Sequence, residues 1–217
     1  MKRGDQFGEI VEGYNIPVLN EREIRAAAGI LFFFTFLSLL LILLKGNFLM
    51  IKYVITAFMT DFIIRVFINP KFAPTLIVSR WIVSRQNPEY VGAAQKKFAW
   101  IIGVILSVAM FLLMVVVNSY SIITGLICLI CLAFLFFESA FGICLGCLFY
   151  NLVYKEKAQH CPGEICEVKS KHDIQKISFI QIIMVFGMIG LIILLAILFN
   201  DFFSVKPHDL FGTIVHK

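Results

Sequence analysis

The chain has 217 residues, of which 60% are hydrophobic and 15% are charged, and its formal net charge is +5 at pH 7. Soluble domains carry about 25% charged residues, so this composition excludes an ordinary water-soluble domain and predicts a membrane protein. The first 25 residues are polar and charged, and the first apolar run begins at Ala26. We therefore expect that run to be a permanent span and not a cleaved signal.

Five apolar stretches predict membrane-spanning helices, because each is long enough to cross about 30 Å of hydrocarbon. Backbone polar groups in lipid must bond to one another, which favours helices over open strands. The predicted spans are residues 26–44, 48–69, 98–117, 122–149 and 177–199. The expected fold is an all-α polytopic membrane bundle with about five transmembrane helices plus one interfacial helix. Its single domain covers residues 26–199, between a cytoplasmic tail at 1–25 and an external tail at 200–217.

The distribution of lysine and arginine predicts the orientation, because cytoplasmic loops carry an excess of these residues. Fourteen of them lie in the N-terminal tail and in the segments that follow the second and fourth spans. The opposite side holds four, which are Lys45, Lys52, Lys206 and Lys217. We expect a bacterial cytoplasmic membrane protein with its N-terminus in the cytoplasm and its C-terminus outside. Basic residues dispersed along the rim fit an anionic lipid bilayer and not nucleic acid.

Residues 75–85, between the second and third spans, show the pattern of an amphipathic helix that lies in the membrane interface. The polar positions share one helix face and are Ser79, Arg80, Ser84 and Arg85. The opposite face is apolar and includes Trp81, which we expect at the depth of the lipid headgroups. A connector that rests on the membrane and a gate or platform for a lipid substrate are both open interpretations.

Three charged residues lie inside the predicted spans, where each charge costs a few kcal/mol unless it is paired or hydrated. Asp61 and Arg65 are four residues apart in the second span and so share one helix face, and Glu138 lies in the fourth span. We expect these three side chains to form an intramembrane charge cluster. One interpretation of this cluster is a structural clamp. The other is a functional site, in which a carboxylate acts as proton acceptor or cation ligand beside a reactive thiol.

The six cysteines form three pairs, which are Cys128/Cys131, Cys144/Cys147 and Cys161/Cys166. The second pair is expected on adjacent turns of one helix face at the cytoplasmic end of the fourth span. The third pair lies in a cytoplasmic loop at about 155–176, where a Pro-Gly turn can bring its sulfurs together. Because these four thiols would face the reducing cytoplasm, we do not expect permanent disulfides.

One interpretation of these thiols is redox or sulfur-transfer chemistry. Cys144 and Cys147 would be the working pair and Glu138 the proton acceptor, with the pair in the cytoplasmic loop as the exchange partner. The C-terminal end of a helix disfavours a thiolate, so activation would have to come from a nearby cation such as Arg65 or Lys155, or from His160. Nearby, Gly142 and Gly146 predict a close approach of another helix.

Two other interpretations are open. The ligand spacing of Cys144, Cys147, Cys161 and Cys166 resembles that of zinc ribbons and iron–sulfur proteins, so zinc or an iron–sulfur cluster would be the cofactor. Cysteine is also a small hydrophobic residue that packs well in buried helices, and packing is the interpretation favoured for Cys128 and Cys131. Cys131 lies about 20 Å from Cys144 along a continuous helix, which would exclude direct exchange between them.

Several blocks resemble an uncharacterised bacterial integral-membrane family, domain of unknown function 4395. The blocks are Asp61-Phe-Ile-Ile-Arg65 before the Pro70 and Pro74 turn, Gln95-Lys-Lys-Phe-Ala-Trp100, and Phe137-Glu-Ser-Ala-Phe-Gly-Ile-Cys-Leu-Gly-Cys147. The resemblance covers about residues 15–155. It implies a signature made of Asp61, Arg65, Glu138, Cys144 and Cys147, and it implies no reaction.

The sequence thus predicts a membrane protein that handles thiol redox or sulfane sulfur at the cytoplasmic face, with a cytosolic thioredoxin-like or rhodanese-like partner. One alternative is a transporter or binding protein for a soft metal ion or small solute, and another is a non-catalytic membrane subunit. The chain contains no nucleotide-binding loop, Ser/His/Asp arrangement or haem attachment sequence. Whether it is an enzyme stays open at this point.

Overall fold

A computed structural model describes residues 7–11, 16–146 and 178–209. Within these ranges the fold is all-α, with four very short strands at the ends of the helices. The helices are α1 (Glu21–Lys45), α2 (Leu49–Ile63), α3 (Pro74–Ile82), α4 (Ala93–Phe111), α5 (Ile122–Phe136) and α6 (Phe179–Ser204). The strands are β1 (Val18–Asn20), β2 (Tyr90–Gly92), β3 (Ser119–Tyr120) and β4 (His208–Asp209).

Three of these helices continue into a wider, π-helical turn. The turns are Ile64–Ile68 after α2, Leu112–Val116 after α4 and Phe137–Phe141 after α5. Such turns interrupt the regular α-helical hydrogen bonding and are frequent at functional sites. Two of the three contain a charged residue singled out by the sequence, Arg65 and Glu138.

Four helices are long and apolar enough to cross a membrane, which supports the predicted membrane bundle. They are Glu21–Lys45, Ala93–Val116, Ile122–Phe141 and Phe179–Ser204. The remaining predicted span, 48–69, is helical from Leu49 to Ile68, a length of about 30 Å. It differs in carrying three charged side chains, Lys52, Asp61 and Arg65, all of which are buried within the bundle.

The first helix starts earlier than its apolar run. The side chain of Asn20 accepts a hydrogen bond from the backbone N–H of Arg22, and Glu21 and Glu23 occupy the first turn. This cap and these acidic residues complement the unpaired N–H groups of a helix start. At the other end, Gly46 adopts the left-handed conformation that commonly terminates a helix.

The predicted fourth span, 122–149, is too long. Its helix ends at Phe141, because Gly142 adopts a left-handed conformation with φ 68° and its N–H bonds to the carbonyl of Glu138. The backbone is helical again at 145–146, so Cys144 lies between two helical segments and not within α5.

The two ends of the bundle are held by different contacts. At the first, β1 pairs antiparallel with β2, and the Gln181 side chain at the start of α6 donates to the carbonyl of Lys71. At the second, β3 pairs parallel with β4, and Lys52 Nζ donates to Asn118 Oδ1 at 2.7 Å and to the Val205 carbonyl at 2.8 Å. We call these the β1–β2 end and the β3–β4 end.

Helix α3 is shorter than predicted and buries the polar positions expected at its surface. It spans Pro74–Ile82 in place of 75–85 and packs against α1 and α6. Ser79 and Arg80 are buried, and Arg80 forms an ion pair of 3.1 Å with Glu23 of α1. Trp81 is 71% exposed. Part of the predicted polar face thus packs inward, because a buried carboxylate on α1 attracts the arginine.

Candidate functional site

A cavity of about 70 Å³ lies between α1, α2, α4 and α5 near the β1–β2 end. Its thiol and charged lining residues are Arg65, Cys131, Glu138 and Cys144. The other walls are mainly apolar side chains, and residues 144–146 close one side. One water molecule needs roughly 10–15 Å³, so the space can hold water or a small sulfur compound. An apolar pocket with a few convergent polar groups is the usual form of a binding site. We call it the thiol cavity.

Two glycines allow the walls of the thiol cavity to approach closely. A Cβ atom on Gly146 would lie 2.6 Å from the Cβ and 2.8 Å from the Cα of Ala99 on α4. On the same helix, a Cβ on Gly103 would lie 2.2 Å from a ring carbon of Phe62. Gly142 and Gly146 were both predicted to allow another helix to approach closely. The structure shows such an approach at Gly146, whereas Gly142 terminates a helix.

The first buried charge network contains Asp61, Arg65 and Thr75. Arg65 Nε lies 2.7 Å from Asp61 Oδ2, as the spacing of four residues predicts. Thr75 donates to the same carboxylate through its backbone N–H at 2.9 Å and through its hydroxyl at 2.7 Å, and that hydroxyl accepts from Arg65 Nη2. Asp61 is 0% and Arg65 2% exposed, so neither charge reaches the surface of the chain.

Aromatic rings complete the surroundings of the arginine. The guanidinium carbon of Arg65 lies 4.6 Å from the ring centroid of Phe62 and 5.2 Å from that of Trp100. Cation–π contacts contribute about 2 kcal/mol when the cation is desolvated, which offsets part of the cost of burial. Arg65 is therefore a rigidly held positive charge at the edge of the thiol cavity.

The second network joins Glu138 to Lys96 and Glu21. Lys96 Nζ lies 2.5 Å from Glu138 Oε1 and 2.8 Å from Glu21 Oε2, and all three side chains are at most 13% exposed. Glu138 therefore bonds to a lysine and belongs to a different ion network from Asp61 and Arg65. Arg65 of the first network and Glu138 of the second line the same cavity.

Sequence reasoning missed Lys96 by counting it among the basic residues of the rim. The sequence did contain an indication that Lys96 is buried. Lys96 lies four residues before Trp100 and so shares its helix face, and Trp100 is buried. The three ionised side chains of this second network carry a formal charge of −1, and the Arg25 guanidinium adds a further electrostatic attraction to Glu21.

Cys131 and Cys144 line the same cavity. The separation of about 20 Å expected between them assumed a continuous helix, and that assumption is wrong because the helical run ends at Phe141. Cys128 and Cys131 line a second, apolar cavity of about 30 Å³ between α1, α2, α4 and α5. Cys131 therefore borders both cavities.

The other predicted thiols lie outside the described residues, which leaves the four-cysteine metal site a prediction. They are Cys147, Cys161 and Cys166, and the proposed activating residues Lys155 and His160 also lie there. Within residues 7–11, 16–146 and 178–209, no group of three or more His, Cys, Asp or Glu side chains could hold a metal ion.

Comparison with known proteins yields one match. The sequence profile of a family described as a domain of unknown function (DUF4395) matches residues 19–155. No curated protein and no solved structure matches the chain. The matched range contains every side chain of the thiol cavity and of its two charge networks, but not α6.

Proposed function

This chain belongs to the DUF4395 family, and we propose that it handles thiol redox or sulfane sulfur at the cytoplasmic face of a membrane. The observation that carries the proposal is that Cys144 and Glu138 line one cavity. Cys144 is the attacking thiol and Cys147 its neighbouring working thiol, whereas Cys161 and Cys166 act as the exchange partner in the loop.

The chemistry begins with removal of the thiol proton, because the thiolate is the nucleophile. Glu138 takes the proton from Cys144, and Cys144 then attacks one sulfur of a partner disulfide. The partner's second sulfur leaves with the electron pair and takes up a proton, which gives a mixed disulfide and one partner thiol. With a persulfide donor, the same attack transfers the outer sulfur to Cys144 and releases the donor thiol.

The network around Lys96 supports Glu138 as the proton acceptor. Lys96 bonds to both Glu138 and Glu21. Once Glu138 is protonated, Lys96 still has Glu21 as its counter-ion, so Glu138 can accept a proton without leaving the buried ammonium group unpaired. Arg65 at the opposite wall favours the thiolate by electrostatic attraction.

A bacterial cytoplasmic membrane, with the N-terminus inside, is the location that fits this chemistry. The basic residues predicted to be cytoplasmic and those predicted to be external contribute contacts at opposite ends of the bundle, as Lys96 and Lys52 illustrate. The excess of lysine and arginine then assigns the β1–β2 end to the cytoplasm. The thiol cavity near that end is within reach of a thioredoxin-like or rhodanese-like partner.

The test uses the full chain in lipid nanodiscs, with glutathione disulfide and glutathione persulfide as probes. Cys144→Ser should lower the rate of both reactions at least 100-fold, because it removes the nucleophile. Glu138→Gln should lower the rate about 100-fold at neutral pH, as expected for loss of a general base. Cys128→Ser is the control and should leave both rates unchanged. Retention of both activities by Cys144→Ser would refute the proposal.

The second candidate function is transport or binding of a soft metal ion or small solute. It is favoured by two thiols in one buried cavity, since thiolates select soft metals. Metal analysis of protein purified without reductant or chelator separates the two functions. Stoichiometric zinc, copper or iron supports the metal function, whereas metal-free protein with exchange activity supports thiol chemistry. A non-catalytic subunit would show neither property, even with every cysteine intact.

A further inference from the structure

Cys131 is a nucleophilic side chain that the proposed chemistry does not use. It projects from α5 and lines the thiol cavity together with Cys144 and Glu138. Cys128, one helical turn away, lines the second cavity and is not among the residues that line the thiol cavity. Position therefore distinguishes the two cysteines of α5.

The segment that carries Cys144 is held against the bundle by close packing. Gly142 ends the preceding helix, and Gly146 packs so tightly on Ala99 that an added Cβ would overlap the backbone of α4. Between these points, Cys144 lines the thiol cavity. The segment that carries Cys144 is thus anchored beside a cavity that Cys131 also lines.

We propose that Cys131 is a resolving thiol for Cys144, an inference that rests on the proposed function. When a partner disulfide has reacted, Cys144 is joined to the partner's sulfur. Cys131 then attacks the sulfur of Cys144, and the bond between Cys144 and the partner breaks. The partner's sulfur leaves with the electron pair and takes up the proton that Cys131 loses. Two protein thiols are thereby oxidised to one disulfide, and the partner disulfide is reduced to two thiols.

The experiment uses a full-length variant in nanodiscs that retains only Cys131 and Cys144, with serine at the other four cysteine positions. It is incubated with glutathione disulfide, and the products are measured by intact mass and by maleimide labelling. The expected result is loss of both protein thiols, release of two glutathione molecules per chain and no attached glutathione. A matched variant that retains only Cys128 and Cys144 should keep one glutathione on Cys144.

The possible results separate this inference from the proposed function. If Cys144 forms the glutathione adduct and Cys131 remains alkylatable, the resolving role is wrong while the exchange function stands. If Cys144 does not react in either variant or in the native sequence, the proposed function fails. Peptide mapping of the oxidised native chain provides a second readout that does not depend on the folding of the variants. A Cys131–Cys144 peptide is expected there, and its absence beside a Cys144 adduct would overturn the inference.

Discussion

Replacement of Lys96 by methionine tests the buried network that supports the proposed proton acceptor. Methionine keeps most of the length and apolar volume of lysine but removes its positive charge. The substitution leaves Glu21 and Glu138 facing each other with no cation between them. We expect the folded state to lose stability because two like charges then share a buried site.

The magnitude follows from the two short ion pairs. At an effective dielectric constant of about 20, charges roughly 3 Å apart attract by about 5–6 kcal/mol, most of which offsets the cost of removing them from water. Removing one partner of a buried pair costs about 3–5 kcal/mol, since the remaining charge is uncompensated. Lys96→Met should therefore lower the free energy of unfolding by about 3–5 kcal/mol. In the double variant with Glu138→Gln the loss should be smaller than the sum of the single losses by at least about 1 kcal/mol.

The assay is unfolding by sodium dodecyl sulfate in mixed micelles, followed by tryptophan fluorescence. Trp100 is 5% exposed and reports on the bundle interior, whereas Trp81 is 71% exposed and its signal should change less. Lys97→Met is the matched control, because the Lys97 ammonium group lies 4.9 Å from the ring centroid of Phe7, and loss of this contact should cost about 0.5–1 kcal/mol. A loss below 1 kcal/mol for Lys96→Met, or additive losses in the double variant, would refute the buried ion network.

Two further substitutions test the packing and the hydrogen bonding around the thiol cavity. Gly103→Ala should lower the free energy of unfolding by about 1–3 kcal/mol, because its Cβ would lie 2.2 Å from a ring carbon of Phe62. Gly125→Ala is the control, because no atom lies within 4 Å of the added Cβ. In the same assay it should be neutral or stabilising by up to about 1 kcal/mol. Equal losses of stability at Gly103 and Gly125 would contradict the close packing of Gly103 against Phe62. Thr75→Val removes the hydroxyl that donates to Asp61 and should cost about 1–3 kcal/mol by chemical unfolding. An unchanged unfolding curve for Thr75→Val would mean that the buried carboxylate does not need this hydroxyl.

The predicted spans show how far hydrophobicity alone locates helices. Apolar runs correctly identify four helices suited to a bilayer, because a lipid environment requires the backbone to bond within each segment. The boundaries are less accurate. The start of α1 was placed five residues late, since Glu21 and its neighbours are charged yet still form the first helical turn. The end of the helical run formed by α5 and its π-helical turn, at Phe141, was placed eight residues late, since the apolar run continues past Gly142.

Among the charged residues, the ion pair between neighbours on one helix was predictable from the sequence, whereas the ion pairs between distant residues were not. The Asp61–Arg65 pair follows from a spacing of four residues on one helix. The pair between Lys96 and Glu138 joins residues 42 positions apart, and no helical period connects them. Likewise, arginine is a residue type usually found at the protein surface, but Arg80 forms a buried ion pair with Glu23 on another helix.

The sequence by itself determined the membrane-suited helices, the family and the local ion pair, because each depends on residues close together in the chain. Tertiary structure alone decided which thiols share a cavity. A single left-handed glycine ends the helical run that starts with α5, and the packing of Gly146 on α4 holds the Cys144 segment beside the cavity that Cys131 also lines. Which thiols line one cavity depends on how separate helices pack together, and the spacing of residues along the chain does not determine that packing.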